Sequence, residues 1–263
     1  MNLSHIKMVV TDMDGTLLNS NHEVSDQFFE LFHKLNRKGI QFVAASGRQY
    51  HSIVEKLRPI KEDIYVIAEN GALVKRQEEE LLVIPIQNQL KNSLLESIEE
   101  IDGAHAMLCG KYKAYFDGRS NLFLDQIKEY YEQFEIHDDL NHVSDEIIKI
   151  AVYHTLNAEE YIYPELQKME QQVKVKVSGK HWVDLNHPMA NKGNALQKLI
   201  DRIGISTSEV LVFGDYNNDL EMLQLSEYSF AMANAHPNVK KVANFETASN
   251  DDYGVERILE KLI

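Results

Sequence analysis

Asp12 and Asp14 stand two residues apart in the string Asp12-Met13-Asp14-Gly15-Thr16, directly after the run Ile6-Lys7-Met8-Val9-Val10-Thr11. That apolar, β-branched run predicts a buried parallel strand. In open α/β sheets ligands lie outside the carboxyl ends of the strands. Two carboxylates held together there repel each other, and burial raises their pKa values further. A Mg²⁺ ion removes both penalties, because hard oxygen ligands suit it. The pair then divides into roles: Asp12 can attack as a carboxylate nucleophile, and Asp14 can protonate a leaving oxygen and later activate water. Gly15 permits a sharp turn after the strand. A calcium EF-hand loop does not fit. Glu23 is twelfth counted from Asp12, but Leu17 occupies the sixth position, where such a loop needs glycine.

The same kind of position recurs along the chain. Ser46-Gly47-Arg48 follows the apolar run Ile40–Ala45. A hydroxyl and exposed N–H groups beside a flexible glycine can hold phosphate oxygens, and the string also suits a plain turn with a capping serine. Lys192 opens a predicted helix after His187-Pro188-Met189-Ala190. A lysine at a helix N-terminus opposes the helix dipole, which makes sense if an anion sits there; a solvated lysine is the simpler alternative. Gly214-Asp215-Tyr216-Asn217-Asn218-Asp219 follows the run Glu209–Phe213. Asp215 can complete a metal's carboxylate set, Asp219 falls on the same side one helical turn later, and Asn218 can donate to phosphate. An Asp/Asn-rich turn reads equally well from these residues alone.

The elements that must position these groups alternate between strand and helix, which predicts an α/β fold with a parallel sheet. Ser25–Lys38 is a predicted helix closed by Gly39, followed by the strand Ile40–Ala45, the short helix Tyr50–Leu57 and the strand Ile64–Ala68. Asn191–Ile203 is a helix, Glu209–Phe213 a strand, Ser229–Met232 and Phe245–Thr247 short strands, and Tyr253–Ile263 a closing helix. From Leu82 to His187 the texture changes. Helices over Gln87–Glu100, Ser120–Phe134 and Asn157–Gln171 alternate with two-sided polar strands such as Lys149–Tyr153 and Val173–Val177, and Gln77–Glu80 reads as a solvated turn. The expected organisation is an α/β core over 1–81 and 188–263 with an α+β unit inserted over 82–187, hinged at Lys75–Leu81 and Asp184–Ala190.

Composition limits the function classes. The 263 residues carry a formal net charge of −14, which opposes nucleic acid and anionic membranes and demands local cations at any phosphate site. No window approaches the roughly 18 apolar residues of a membrane span, and the first residues lack a signal-peptide pattern. Cys109 is the only cysteine, expected as a small buried hydrophobe, so a cytoplasmic location is expected. The eleven histidines show no metal-like spacing.

Taken in order, Asp-x-Asp-Gly-Thr, Ser-Gly-Arg, Lys192 and Gly-Asp-x-x-Asn-Asp resemble the haloacid dehalogenase superfamily of phosphatases. Glu69-Asn70-Gly71-Ala72, Met222-Leu223, Asn234-Ala235-His236 and Asn250–Val255 resemble its Cof-type branch over the whole chain. The resemblance implies a Rossmann-like core with the inserted α+β unit as a cap, and a phospho-aspartyl intermediate on Asp12 with Asp14 as acid and base. It implies Mg²⁺ held by Asp12, the backbone carbonyl of Asp14 and Asp215, with Asp219 assisting. It also implies phosphoryl binding by Ser46, Lys192 and Asn218, beside Gly47 and Arg48. Tyr216 and Ala233 depart from the family's usual Asn and Gly. The expected function is Mg²⁺-dependent hydrolysis of small phosphate monoesters, sugar phosphates or similar metabolites. A phosphomutase on the same fold and a non-catalytic phosphosugar sensor are the alternatives. The partner is a small phosphorylated metabolite; Asn186, His187, Tyr216, Glu69 and Asn70 are rim candidates, and Trp182 is expected to pack.

Overall fold

A computed structural model describes residues 2–130 and 133–263. The chain divides into two compact units, one running to Leu82 and resuming at Asn191–Ile263, the other Val83–Ala190.

The first unit is built on eight strands: β1 Met8–Asp12, β2 Gln41–Ala45, β3 Ile64–Ala68, β4 Leu73–Arg76 and β5 Glu79–Val83 before the second unit, and β12 Val210–Gly214, β13 Tyr228–Ala231 and β14 Phe245–Glu246 after it. Their order is β14-β13-β12-β1-β2-β3-β4-β5. β1 lies at the centre, parallel to both β2 and β12, and every residue of β1, β3 and β12 is buried. Strands covered on both faces read as continuous apolar runs, which is why these were visible in the sequence. Thr11 sits opposite Phe213 and Asp12 opposite Ala45, so the carboxyl ends at Asp12, Ala45 and Gly214 come level along one edge.

The flanking helices follow from local sequence. In the helix Asp26–Arg37 the Ser25 hydroxyl accepts the Phe28 N–H at 3.0 Å, and Asp26 and Arg37 suit the two ends of the dipole. Phe28, Leu31, Phe32 and Leu35 form its buried stripe, with Phe28 and Phe32 packed on Phe42 of β2. The helix Lys192–Ile203 starts on Asn191, whose Oδ1 accepts the Asn194 N–H at 2.7 Å, and stops at left-handed Gly204.

Among the described residues the second unit has six strands, β6 Ala104–Gly110, β7 Ala114–Phe116, β8 Phe134–Ile136, β9 Ile147–His154, β10 Lys174–Gly179 and β11 Trp182–Asn186, ordered β10-β11-β9-β6-β7-β8. One face buries Leu108, Ile150 and Val183 against Leu94 of the helix Asn88–Glu99. The other buries Met107, Cys109, Phe116, Phe123 and Tyr153, with Trp182 in ring contact with Phe123 and Tyr153.

Four expectations are corrected here. β9, expected as two-sided and polar, is buried along its whole length, because it is an interior strand flanked by β11 and β6. The predicted helix Asn157–Gln171 is broken into Ala158–Tyr161, Tyr163–Leu166 and a 3₁₀ turn Gln167–Met169; Pro164, which lacks an N–H, sits at the start of the second piece. The predicted helix Ser120–Phe134 spans Asn121–Tyr130, its residues 131–132 lie outside the described residues, and Phe134 opens β8. Of Gln77–Glu80, only Gln77 and Glu78 form the turn; Glu79 and Glu80 begin β5.

Candidate active site

Asp12 ends β1 and Lys192 begins the helix that follows the second unit, yet the two meet: Lys192 Nζ lies 2.5 Å from Asp12 Oδ1 and 2.7 Å from Asp219 Oδ1. Lys192 and Asp219 are fully buried, and Asp12 nearly so. The close approach that brings Lys192 in depends on Gly71, at φ +95°, where a Cβ would stand 2.3 Å from the Asn191 carbonyl oxygen. Asp219 is held on both oxygens, since its Oδ2 accepts the N–H groups of Asp215 and Tyr216 at 3.0 and 3.1 Å. It therefore shapes the turn after β12 as well as pairing with Lys192. Asp215 Oδ1 accepts the Thr16 hydroxyl at 3.0 Å.

Asp12, Asp215 and Asp219 each offer a carboxylate oxygen within 4.8 Å of the others. Burial, and then the charge of Asp219, push Asp12 well above the ordinary carboxylate range, although Lys192 pulls it back. The same two causes push Asp215 up to about 6. Burial opposes the Lys192 charge, but Asp12 and Asp219 together hold the ammonium above the ordinary lysine value. Three carboxylates facing one ammonium leave negative charge unmet in a water-poor place. An all-oxygen set this compact suits a hard divalent cation.

An acid whose folded pKa is raised is destabilising once ionised, so the cost is absent below the unfolded pKa near 4, grows to about pH 6 and is complete above it. For Asp215 it reaches on the order of 3 kcal/mol. In metal-free protein, Asp215→Asn should leave melting unchanged near pH 4 and raise the melting temperature by several degrees above pH 6. Parallel melting curves of the two proteins across this range would remove Asp215 as the source.

Asp14 turns away from this cluster. Arg48 Nε donates to its Oδ2 at 2.7 Å and Nη2 to its Oδ1 at 2.6 Å, and His22 Nδ1 stands 3.5 Å from Oδ1. Partial burial pulls the Asp14 carboxyl upward, but the hydrogen bonds and charge of Arg48 hold it below the ordinary range. Ser46 caps no helix; its hydroxyl accepts the Arg48 N–H at 3.1 Å, and Gln49 is the residue before the helix Tyr50–Lys56. The turn Ser46–Arg48 is braced by the next strand end, where the Glu69 N–H donates to the Arg48 carbonyl and the Asn70 N–H to that of Ser46, each at 3.0 Å. Gly47 lies against the Asn70 amide, whose Oδ1 accepts from Asn218 Nδ2 at 3.2 Å. Asn218 and the Ser46 turn are thus joined through Asn70.

The loop after β1 is fixed by residues whose roles the sequence did not reveal. The N–H groups of Leu17 and Leu18 donate five residues back, to Asp12 and Met13. Asn234 Nδ2 donates to the Gly15 carbonyl at 2.8 Å, Asn250 Nδ2 to that of Leu18 at 2.9 Å, and the Ser20 N–H to Asp251 Oδ1 at 2.8 Å. The Asn234 and Asn250 motifs were the available signal, though it said nothing of their partners. Tyr216 is half exposed with its ring beside His236. Asn186 is buried and donates to the Ile148 carbonyl, and His187 Nδ1 accepts the Met189 N–H.

The central parallel sheet with two acid-bearing strand ends and a buried lysine defines a class, and comparison with known proteins agrees. Residues 9–259 match the haloacid dehalogenase-like hydrolase family. The chain belongs to that family and is a phosphatase acting on phosphorylated substrates. It is 30% identical to the 5-amino-6-(5-phospho-D-ribitylamino)uracil phosphatase of Escherichia coli, covering 98% of this chain and 96% of the relative. A second phosphatase of that name, from Bacillus subtilis, is 24% identical over 97% and 96%. A Streptococcus mutans crystal structure superposes with a TM-score of 0.86 at 30% identity, covering 97% of this chain and 98% of that one. Hydrolases of this family generally use a divalent metal. No helix among the described residues is long and apolar enough to cross a membrane.

Proposed function

We propose that the chain hydrolyses small phosphate monoesters, sugar or polyol phosphates among them, through a phospho-Asp12 intermediate with Mg²⁺ as cofactor. The observation that carries this reading is the buried Asp12–Lys192–Asp219 contact beside Asp215. Asp12 and Asp215, with the backbone carbonyl of Asp14, are the residues that would hold Mg²⁺; Asp219, engaged on both oxygens, supports them. The bound cation supplies charge neutralisation of the phosphoryl oxygens and of the crowded carboxylates. Lys192 orients the Asp12 carboxylate and carries positive charge against the charge spread over the transferring group. Asp12 attacks phosphorus, Asp14 protonates the departing oxygen, and Asp14 then takes a proton from the water that cleaves the acyl phosphate. Ser46, Gly47 and Asn218 line the phosphoryl position, and the second unit, Val83–Ala190, acts as a cap that selects the leaving group. The two relatives named for a phosphorylated ribityl compound favour a polyol phosphate as the substrate type.

The test is inorganic phosphate release from a panel of sugar and polyol phosphates, with product isomers assayed alongside and Mg²⁺ titrated. Native protein should release phosphate only with the cation, and EDTA should silence it reversibly. Asp215→Ala should shift the Mg²⁺ requirement upward by about tenfold or more, since it deletes a proposed ligand. A superimposable Mg²⁺ curve for that variant would exclude Asp215 as a ligand, and isomerised product without phosphate release would point to a mutase.

A further inference from the structure

Arg48 and Asp14 are each occupied with the other. The guanidinium presents two donors to the two oxygens of one carboxylate at 2.7 and 2.6 Å, while Nη1 reaches Ser52 Oγ at 3.4 Å. A carboxylate with both oxygens seated in that fork is not turned to hand a proton to a leaving group. The Nε–Nη2 edge that Asp14 fills cannot take a phosphate at the same time.

Both duties are open to the pair in succession. Phosphate is the other ligand that matches arginine's planar fork, and it carries more charge than a carboxylate. The backbone of Arg48 is pinned, with its N–H on Ser46 Oγ and its carbonyl on the Glu69 N–H. Its side chain is 31% exposed and that of Asp14 is 41% exposed, so both can reorient without opening the core. The carboxylates of Asp12, Asp14, Asp215 and Asp219 with an arriving phosphate dianion also outweigh the positive charge of Lys192 and one bound Mg²⁺ together. We infer that Arg48 exchanges partners: it holds Asp14 in the empty site, passes to the phosphoryl oxygens of the bound ester, and thereby frees Asp14 to face the leaving oxygen. The exchange moves hydrogen bonds only; no covalent bond forms or breaks in it. It rests on the phosphatase reading and on the role assigned there to Asp14.

The experiment is a double-mutant cycle read on binding of orthophosphate, measured calorimetrically with Mg²⁺ present, for the full chain, Asp14→Asn, Arg48→Ala and the double variant. Asp14→Asn should tighten orthophosphate about tenfold, because Arg48 no longer has to leave a carboxylate. Arg48→Ala should weaken it about tenfold or more, and the gain from Asp14→Asn should vanish in the Arg48→Ala background. An equal gain in both backgrounds would overturn the exchange, since Asp14 would then act only as a repelling charge. Unchanged binding in Arg48→Ala would overturn it equally. Arg48→Lys, which keeps the charge without the fork, should fall between, and it serves if Arg48→Ala fails to fold. With p-nitrophenyl phosphate, whose leaving group needs no proton, Arg48→Ala should raise KM more than it lowers kcat. Binding is read without turnover, so a failed cycle leaves the phosphatase reading standing. A chain inert towards every ester, yet showing the coupled cycle, would remove that reading alone.

Discussion

Asp12→Asn should abolish turnover, lowering kcat on the order of 10⁴-fold or more, while the protein melts no lower than the native chain in metal-free buffer. A carboxamide of nearly the same shape is a poor nucleophile, which accounts for the first half. The second half follows from the charge balance at the end of β1. Asp12 is buried against Asp215 and Asp219 with one ammonium among them, and its carboxyl is pushed well above the ordinary range. Replacing it removes a repelling charge and leaves Lys192 its contact with Asp219. Phosphate release from a sample shown by mass spectrometry to be free of deamidated protein is the deciding measurement. Substantial turnover there would remove Asp12 as the nucleophile.

Lys192→Met should damage both stability and activity. The ammonium is fully buried between Asp12 and Asp219, and methionine fills similar space without a charge. Breaking one side of a buried ion pair costs about 3–5 kcal/mol, because the abandoned carboxylates are left in a low-dielectric place. Part of that loss returns at acid pH, where the carboxylates protonate, and part returns with Mg²⁺. The variant should therefore show a larger rise in melting temperature on adding Mg²⁺ than the native chain shows. With the cation saturating, kcat should still fall about 10²–10³-fold, the usual size for losing one preorganised group facing transition-state charge. An unaltered melting temperature without metal would mean that the Lys192 contacts contribute nothing net to the fold.

How much of this was legible depended on where the information sits. β1, β2, β3 and β12 were readable because strands buried on both faces need apolar residues throughout. The second unit hid more. β6, Ala-His-Ala-Met-Leu-Cys-Gly, has no clean alternation and owes its place to pairing with β9 and β7. β7 and β8 are three residues each, too short for any periodicity. At the site, the residue types at the strand ends pointed to acid chemistry, while Lys192 at a helix start read either as the partner of an anion or as a solvated lysine. What they contact did not follow. Arg48 reaches Asp14 across 34 positions, Thr16 reaches Asp215 across 199, and Asn234 reaches Gly15 across 219. Such partners are fixed by side-chain conformations in a finished fold, and no local spacing records them. Arg48 shows the gap most clearly: its sequence position suggested phosphate, and the structure seats it on a carboxylate.

The stitching of the loop after β1 bears on how the protein is made. Translation delivers β1 early, and β2 follows soon enough to pair with one of its edges. The other edge belongs to β12, and the loop that follows Asp12 is tied down by Asn234, Asn250 and Asp251. A nascent chain stopped short of Val210 thus carries β1 with one side bare, an open template for pairing with other chains. Closing β1 against β12 is a long-range step, slow relative to the local helices and hairpins that form first. The loop after β1 is therefore tied down only after Asn250 and Asp251 have left the ribosome, and a product stopped before them has no assembled site.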